Sequence, residues 1–334
     1  MKANKLILTK GIVCAGKSSI LDEYVNDENT VILSSDDLRK ALGLNRKDMS
    51  VFNVIKSMAN TYLGMGKTVV IDTTCLTHKR HTEFRGLARN FGVSYECHYV
   101  VTHPYRWLEQ AQERIANKWN DCTMEDMCNI RKKMYQGLNF PLDWEFDNVT
   151  IHVNDIEHQQ FSIEFFKQYY DKHKQLFRDN MREFFTPLKQ SGYLQDVMPE
   201  LLDIWGTQNR SWRYDSTLEE HTFAMCDTLS TKDETMLWAI LLHNTGKVLD
   251  GIEVVKKNGT SCYSGYHGAS TEIAYCVLSR LGFDESMIRN VCQIINKHTY
   301  IPLDRELSPH NVTFLGMELY KQLQIFRNAD LLKK

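Results

Sequence analysis

Residues 11–18, Gly-Ile-Val-Cys-Ala-Gly-Lys-Ser, fit the spacing G-x-x-x-x-G-K-[ST]. Chemistry on a phosphate chain needs this combination. Glycines let the backbone wrap tightly, so that its N–H groups and the start of a helix can face phosphate oxygens. Lys17 would neutralise the β- and γ-phosphates, the Ser18 hydroxyl would sit on Mg²⁺, and Gly11, Cys14, Ala15, Gly16 and Ser19 would complete the cradle. A second group follows at Ser35-Asp36-Asp37-Leu38-Arg39. A carboxylate just beyond a strand can take the proton of an attacking hydroxyl, and an arginine one helical turn later can hold a neighbouring phosphate. The alternative for Asp36 is an N-cap opening a helix. Asp72 closes the run Val69-Val70-Ile71 and could support the magnesium shell through water. Arg114 and Lys118 are four residues apart on one helix face. They form either a solvated basic face or a lid over the γ-phosphate.

The later part of the chain carries a different set: His221, His243-Asn244, Lys247, His267, His298 and Asp330. Singly, each histidine reads as a surface or satisfied core residue. Jointly, four imidazoles and a carboxylate near separate helix ends suit a divalent transition metal such as Mn²⁺, Fe²⁺, Co²⁺ or Ni²⁺.

These residues need elements to hold them. Short β-branched runs at Leu6–Thr9, Val31–Ser34, Thr68–Asp72, Ser94–Val101 and Asn148–Val153 alternate with helical stretches such as Ser18–Val25, Met49–Leu63, His78–Phe91 and Glu109–Trp119. That is the pattern of a parallel α/β sheet. Beyond about Asp155 the strand signal fades. Phe161–Leu188, Thr217–Leu229, Asp233–His243 and Ser270–Leu281 read as helices, with Val254–Tyr263 as a loop or hairpin. The shift predicts domains at 1–155 and 191–334 joined by a helical connector at 156–190. In the connector, Phe161, Phe165, Phe166, Tyr169 and Tyr170 read as packing residues before they read as a base-stacking platform, and Lys167, Lys172, Lys174 and Arg178 as a possible phosphate path.

The bulk properties set limits. In 334 residues, 43% hydrophobic and 25% charged content is ordinary for a globular chain and excludes a disordered or collagen-like one. No apolar run is long enough to span a membrane, and the N-terminal apolar stretch is too short for a signal peptide. Nine cysteines without C-x-x-C pairs argue against a zinc knuckle or a disulfide framework and suit a reducing, cytoplasmic setting. The net charge of −2 neither supports nor excludes a nucleic-acid partner.

The strand, the phosphate loop, Asp36-Asp37-Leu38-Arg39 and Ile71-Asp72-x-Thr74-x-Leu76 together resemble the phage-type polynucleotide 5′-kinase domain, over about residues 5–155. The resemblance implies a P-loop α/β kinase fold using ATP or another nucleoside triphosphate with Mg²⁺. It implies Asp36 as general base for a 5′-hydroxyl, Arg39 on the adjacent phosphate, and Arg114 with Lys118 as a lid. Residues 195–334 are similar to the HD phosphohydrolase superfamily, in particular the all-α HD domain of bacterial CCA-adding enzymes. That likeness implies a metal held by His221, His243, the following residue and Asp330. It makes His267 and His298 ligands of a second ion, and brings Lys247 to the substrate phosphate. The superfamily has Asp where this chain has Asn244, a neutral ligand that cannot bridge two cations. The amide is either a substitution that silences the site, decay into a scaffold, or a working variant.

Together the two resemblances imply end healing of RNA or DNA. A 5′-hydroxyl would be phosphorylated and a 2′,3′-cyclic phosphate or 3′-phosphate removed, in preparation for a separate ligase. Two alternatives stay open: a small-molecule or nucleoside kinase with an HD nucleotidase, and a kinase with a non-catalytic RNA-docking module.

Overall fold

The strands of the first half are near-continuous apolar runs, as a sheet covered on both faces requires. Leu6, Ile7 and Leu8, and likewise Val69, Val70 and Ile71, are buried. In the computed structural model, which describes residues 4–45, 48–118, 122–210, 216–229, 232–301 and 307–331, five such runs pair in parallel. They are β1 (Lys5–Lys10), β2 (Thr30–Ser34), β3 (Thr68–Asp72), β4 (Ser94–Thr102) and β5 (Asn148–Asn154), in the order β2-β3-β1-β4-β5. The register sets Ser34 beside Asp72, and Lys10 beside Tyr99, so the strands end together along one edge. The helices among them are α1 (Ser18–Leu21), α2 (Ser35–Ala41), α3 (Val51–Gly64), α4 (His78–Phe91) and α5 (Pro104–Lys118). On α3 the buried residues are Val51, Ile55, Ala59 and Leu63, one apolar stripe at helical spacing.

Two helices differ from expectation. The predicted Ser18–Val25 helix shrinks to α1, with hydrogen-bonded turns carrying the chain onward. Only Ile20 of α1 is buried and Val25 is exposed, so no apolar face holds a longer helix. The predicted Glu109–Trp119 helix begins five residues earlier, at Pro104, whose fixed φ suits a helix start. Trp119 lies outside the described residues.

By its contacts the chain forms two units. One comprises Met1–Thr102, Trp107–Cys122 and Pro141–Asn154, the other His103–Arg106, Thr123–Phe140 and Asp155–Lys334. The second unit is helical: α6 (Met124–Gly137), α7 (Gln160–Lys172), α8 (Lys174–Asp179), α9 (Met181–Gln190), α10 (Tyr193–Val197), α11 (Pro199–Asp203), α12 (Leu218–Thr228), α13 (Glu234–Leu242), α14 (Tyr266–Arg280), α15 (Glu285–Lys297), α16 (Pro309–Leu315) and α17 (Met317–Leu331). The antiparallel hairpin β6 (Glu253–Val255) and β7 (Ser261–Tyr263) falls in the expected segment. α13 is apolar all round and buried along Met236–Leu242, which makes it the central helix. Around Trp238 pack Tyr170, Phe177 and Phe283, with the Trp238 indole N–H donating to the Tyr170 hydroxyl at 3.3 Å. The aromatics of α7–α9 are thus largely core, although Phe161 is exposed. Lys174 and Arg178 both pair with Glu234.

Each unit contains a buried ionic network among its described residues. In the first, the Lys10 ammonium donates to the carbonyls of Cys75 and Leu76, both at 3.1 Å, and to His81 Nε2 at 3.3 Å. His81 Nδ1–H then donates to Glu145 Oε1 at 3.0 Å, His78 Nδ1 donates to the same oxygen, and Glu145 Oε2 accepts from the Leu142 N–H. In the second, Arg280 grips Asp155 and Glu200 with two bonds each, and Glu200 also bonds His103 Nε2. Burial pushes the Asp155 carboxyl up, but His158 and the Arg280 guanidinium outweigh it and hold it at about 2.

Removing one partner of such a network leaves a buried charge uncompensated, at a cost of roughly 3–5 kcal/mol. Lys10→Met and Arg280→Met are each expected to lower unfolding free energy by that amount in a urea titration. Asp155 has a depressed folded pKa, so its stabilisation is complete above the unfolded value near 4. It is lost as pH falls towards 2, a loss of about 2 kcal/mol that Arg280→Met should largely abolish.

Candidate functional site

The phosphate loop starts directly after Lys10. Gly11 sits at φ +148°, and an added Cβ would meet the Val100 carbonyl oxygen at 2.9 Å, so only glycine lets β1 turn there. The loop's carbonyls are turned onto the protein: Trp107 Nε1 donates to Val13 O at 2.7 Å, Thr102 Oγ1 to Ala15 O at 3.0 Å, and Asn154 Nδ2 to Ala15 O at 3.3 Å. Lys17 Nζ donates to Gly11 O at 3.2 Å and Ile12 O at 2.8 Å. With the carbonyls so engaged, the loop is shaped to offer amide groups to an anion. Ser18 opens α1, and Ser19 Oγ donates to Gly16 O at 2.7 Å. Sequence reading missed Thr102, Trp107 and Asn154 because their role is set by where strand and helix ends meet.

Around the loop the predicted residues converge. Asp72 accepts from Thr9 Oγ1 at 3.2 Å, and burial raises its pKa against the lowering influence of Lys17. Lys17 is itself lowered by burial, with Asp72 and Asp36 acting to raise it and Arg114 to lower it. Burial raises the Cys14 thiol, while Arg114 and Lys17 pull it down, so Arg114 stands at the phosphate loop. The cap of α2 is Ser34, whose hydroxyl accepts from the Asp37 N–H, so Asp36 is not the N-cap. Its side chain is 74% exposed in the first turn and accepts from Arg39 NH1 at 3.3 Å. Arg39 is anchored to the carbonyls of Ser35 and Asp48 and its guanidinium stands 5.9 Å from the Phe52 ring. Lys118 ends α5, but its side chain lies outside the described residues. Ser18, Asp72 and phosphate offer hard oxygen ligands, the donor set Mg²⁺ requires.

In the helical unit a capping box between Thr217 and Glu220 fixes the start of α12, which carries His221 in its first turn. His243 caps the end of α13, and the turn after it is clamped by Ser270, whose hydroxyl accepts from Gly246 N and donates to His243 O. His221 Nε2 lies 3.2 Å from Asp330 Oδ1 on α17, and the His221 and His243 rings are 6.1 Å apart. His243 is next to His298, ring centroids 5.6 Å apart, and to Lys247, and burial first, with these two neighbours adding to it, holds it well below the usual imidazole range. His267 and His298 are both pushed down to about 4, chiefly by burial. His243 and His298 each point Nδ1 at a helix carbonyl, Ile240 O and Ile295 O, both at 2.6 Å. That leaves His243 Nε2 as the ligand atom. On His298, however, the Tyr266 hydroxyl donates to Nε2 at 2.7 Å, so this ring is engaged within the protein.

Asn244 is fully buried. Its Nδ2 donates to Thr222 Oγ1 at 3.3 Å, and that hydroxyl has already given its own proton to Leu218 O, which fixes the amide orientation. The remaining atom, Oδ1, has no hydrogen-bond partner among the described residues. A buried carbonyl oxygen left so costs about 1–3 kcal/mol unless a cation or water meets it. His221 and Asp330 thus meet, and His243 Nε2 and Asn244 Oδ1 are the atoms of the predicted set left available on the turn after α13, whereas His298 Nε2 is engaged by Tyr266. A tighter group is elsewhere: among the described residues, only His78, His81 and Glu145 bring three such ligand atoms within 4.8 Å. There each ligand atom is matched to a donor or acceptor, and the Lys10 ammonium sits on the outer nitrogen of His81. That group is a closed hydrogen-bond network.

Residues 6–134 match the family model described as an AAA domain. Among solved structures, the chain is similar to a candidate kinase of Chloroflexus aurantiacus at 16% identity and TM-score 0.37, covering 52% of this chain and 98% of that one. It is also similar to a chain of the PezAT chromosomal toxin–antitoxin system of Streptococcus pneumoniae, at 18% identity and TM-score 0.32, with 46% and 69% covered. A third is the APS kinase CysC of Mycobacterium tuberculosis, at 12% identity and TM-score 0.29, with 45% and 88% covered. No helix among the described residues is long and apolar enough to cross a membrane. The parallel five-stranded sheet flanked by helices, with its phosphate loop, fits a P-loop kinase α/β domain, and such a domain implies use of a nucleotide and Mg²⁺.

Proposed function

We propose that the α/β unit transfers the terminal phosphoryl group of ATP or another nucleoside triphosphate to the 5′-hydroxyl of an RNA or DNA end. The observation that carries this reading is the Asp36–Arg39 pair at the start of α2, electrostatically within reach of Lys17 and Asp72. An exposed carboxylate held by one arginine can receive the hydroxyl proton as the oxygen attacks the γ-phosphorus. The bond from that phosphorus to the β-bridging oxygen breaks, and the nucleoside diphosphate leaves. Lys17 and Arg114 face the charge gathering on the donor phosphates, and Arg39 holds the phosphate beside the acceptor nucleoside. Bound Mg²⁺ would supply further charge neutralisation at the Ser18 and Asp72 oxygens.

A second activity is supported by the buried Asn244 Oδ1 and the His221–Asp330 contact. In this reading the helical unit removes a 2′,3′-cyclic phosphate or 3′-phosphate, so that one chain prepares both ends for a separate ligase. A transition ion there would supply Lewis acidity to the phosphoryl group. Lys247, itself buried between the Tyr263 and Tyr266 rings, would hold the phosphate.

One oligonucleotide with a 5′-hydroxyl and a 2′,3′-cyclic phosphate, followed by mass spectrometry with ATP, Mg²⁺ and Mn²⁺, tests both halves. A gain of one phosphate at the 5′ end is expected, reduced roughly 100-fold or more by Asp36→Asn, with nucleotide binding retained. Phosphorylation of free nucleosides but not of the oligonucleotide would replace this reading by a small-molecule kinase. For the helical unit, Asn244→Asp restores a carboxylate and should raise Mn²⁺ affinity about tenfold or more, measured by metal titration. Should neither protein retain metal or open the 3′ end, the helical unit is a docking module.

A further inference from the structure

The α/β unit has a recess of about 610 Å³ lined by Asn53, Lys56, Ser57 and Asn60 of α3 and by Glu83, Gly86, Leu87 and Asn90 of α4. Each helix contributes residues at i, i+3, i+4 and i+7, so two helix faces form its walls. The volume is that of a ligand site. The chemistry of these faces differs from an ordinary solvated helix surface, which carries Lys and Glu pairs. Three asparagines and a glycine are poor helix formers, and placing them in two fourteen-residue helices costs stability. The Asn53, Asn60 and Asn90 side chains take no hydrogen-bond partner among the described residues. A Cβ added at Gly86 would meet no atom within 4 Å, so helix packing does not require the glycine.

The recess also connects with the Asp36 corner. Phe52, immediately before Asn53, lies 4.0 Å beneath the Arg80 guanidinium and 5.9 Å from that of Arg39. Arg80 bonds Glu83 at 2.8 Å, and Glu83 lines the recess. A continuous run of residues thus leads from the Asp36–Arg39 pair, over a half-buried aromatic ring, into the open, amide-lined recess.

Resting on the kinase reading above, we infer that this recess binds the single strand that continues 3′ from the nucleotide bearing the acceptor hydroxyl. Amides of Asn53, Asn60 and Asn90 meet base edges or sugar hydroxyls, and Lys56 meets one phosphate. Arg80 and Glu83 neutralise each other, so Lys56 is the one net cation and the grip is mainly hydrogen bonding. Gly86 gives the strand a flat wall on which to lie.

The test uses the full chain with Gly86→Leu, Gly86→Ala and Lys56→Gln. Two acceptors are compared: a 5′-hydroxyl twelve-nucleotide RNA and a nucleoside 3′-monophosphate, which cannot extend into the recess. Gly86→Leu should raise KM for the oligonucleotide roughly tenfold while leaving KM and kcat for the mononucleotide within about twofold. Both Gly86 variants should melt no lower than the parent, since a better helix former replaces glycine. Lys56→Gln should reduce the log–log salt slope of oligonucleotide binding by about 0.7, the share of one single-strand phosphate. An unchanged oligonucleotide KM in Gly86→Leu, or equal losses on both acceptors, overturns the inference and leaves the kinase reading intact. If the parent phosphorylates neither acceptor, the kinase reading fails by itself. Anisotropy of the labelled oligonucleotide then decides the recess: binding weakened by Gly86→Leu keeps it as a strand site, and unaltered binding removes it.

Discussion

A buried ammonium at the end of β1 fixes the geometry on which the nucleotide-facing edge depends. Lys10 has no exposed surface, and an ion of that kind is tolerated in a protein interior only when its donors are met and its charge is balanced. Both conditions hold, because two carbonyls and His81 take its protons and Glu145 supplies the counter-charge through the imidazole. Burial would raise the Glu145 carboxyl, but His78 and His81 prevail and keep it ionised well below the usual range. The carbonyls that Lys10 binds belong to a loop in which Cys75 holds a left-handed conformation, a strained choice for a residue with a side chain. One cation therefore ties down that loop, which follows Asp72, while its neighbour Gly11 begins the phosphate loop. Lys17 and Asp72 keep their relation because both segments start from the same anchored point.

The helical unit reaches its candidate site by other means. His221 comes from the start of α12, His243 and Asn244 from the end of α13 and Asp330 from α17, and the Ser270 clamp and the Thr217 capping box hold the first two of those helix ends in place. The common factor is burial. It lowers His243, His267 and His298, so these rings are neutral near pH 7, the form in which imidazole ligates a metal. What distinguishes them is the second nitrogen. The carbonyl of Ile240 leaves His243 Nε2 available, whereas Tyr266 occupies the matching atom of His298. Of the six candidate ligands read together in the sequence, His221 and Asp330 meet and His243 keeps one ring nitrogen available, whereas the His298 ring is taken up by hydrogen bonds that serve the fold.

The parts readable from sequence were those set by local pattern. Parallel strands buried on both faces leave runs such as Leu6-Ile7-Leu8, and the glycines of the phosphate loop mark a turn only they can make. Element ends were less visible. Ser18–Val25 has the composition of a helix but too few buried positions to sustain one, and Pro104 starts a helix earlier than apolar spacing suggested. Tertiary partnership was not visible at all. Nothing local in Thr123–Phe140 says that it packs with the later helices, nor in Glu145 that it completes a network begun at Lys10. Asn244 could be read as a departure from a carboxylate, yet its orientation follows from Thr222, twenty-two residues away.

Two glycines show how the same residue answers different demands. At Gly11 the backbone angle and the Val100 carbonyl leave no room for any side chain, so the protein's own packing explains the residue completely. At Gly86 neither reason applies: the backbone is helical, the surroundings are empty, and alanine would stabilise the helix. The three asparagines that share its recess follow the same logic, since each weakens its helix and none takes a hydrogen-bond partner among the described residues. Local choices that disagree with the fold without compensation are expected where function overrides stability. The Lys10 network spends its polar groups entirely on itself and so marks a scaffold. The α3–α4 recess leaves three asparagine amides without a partner among the described residues beside the acceptor corner, which is the condition of a surface built for a ligand.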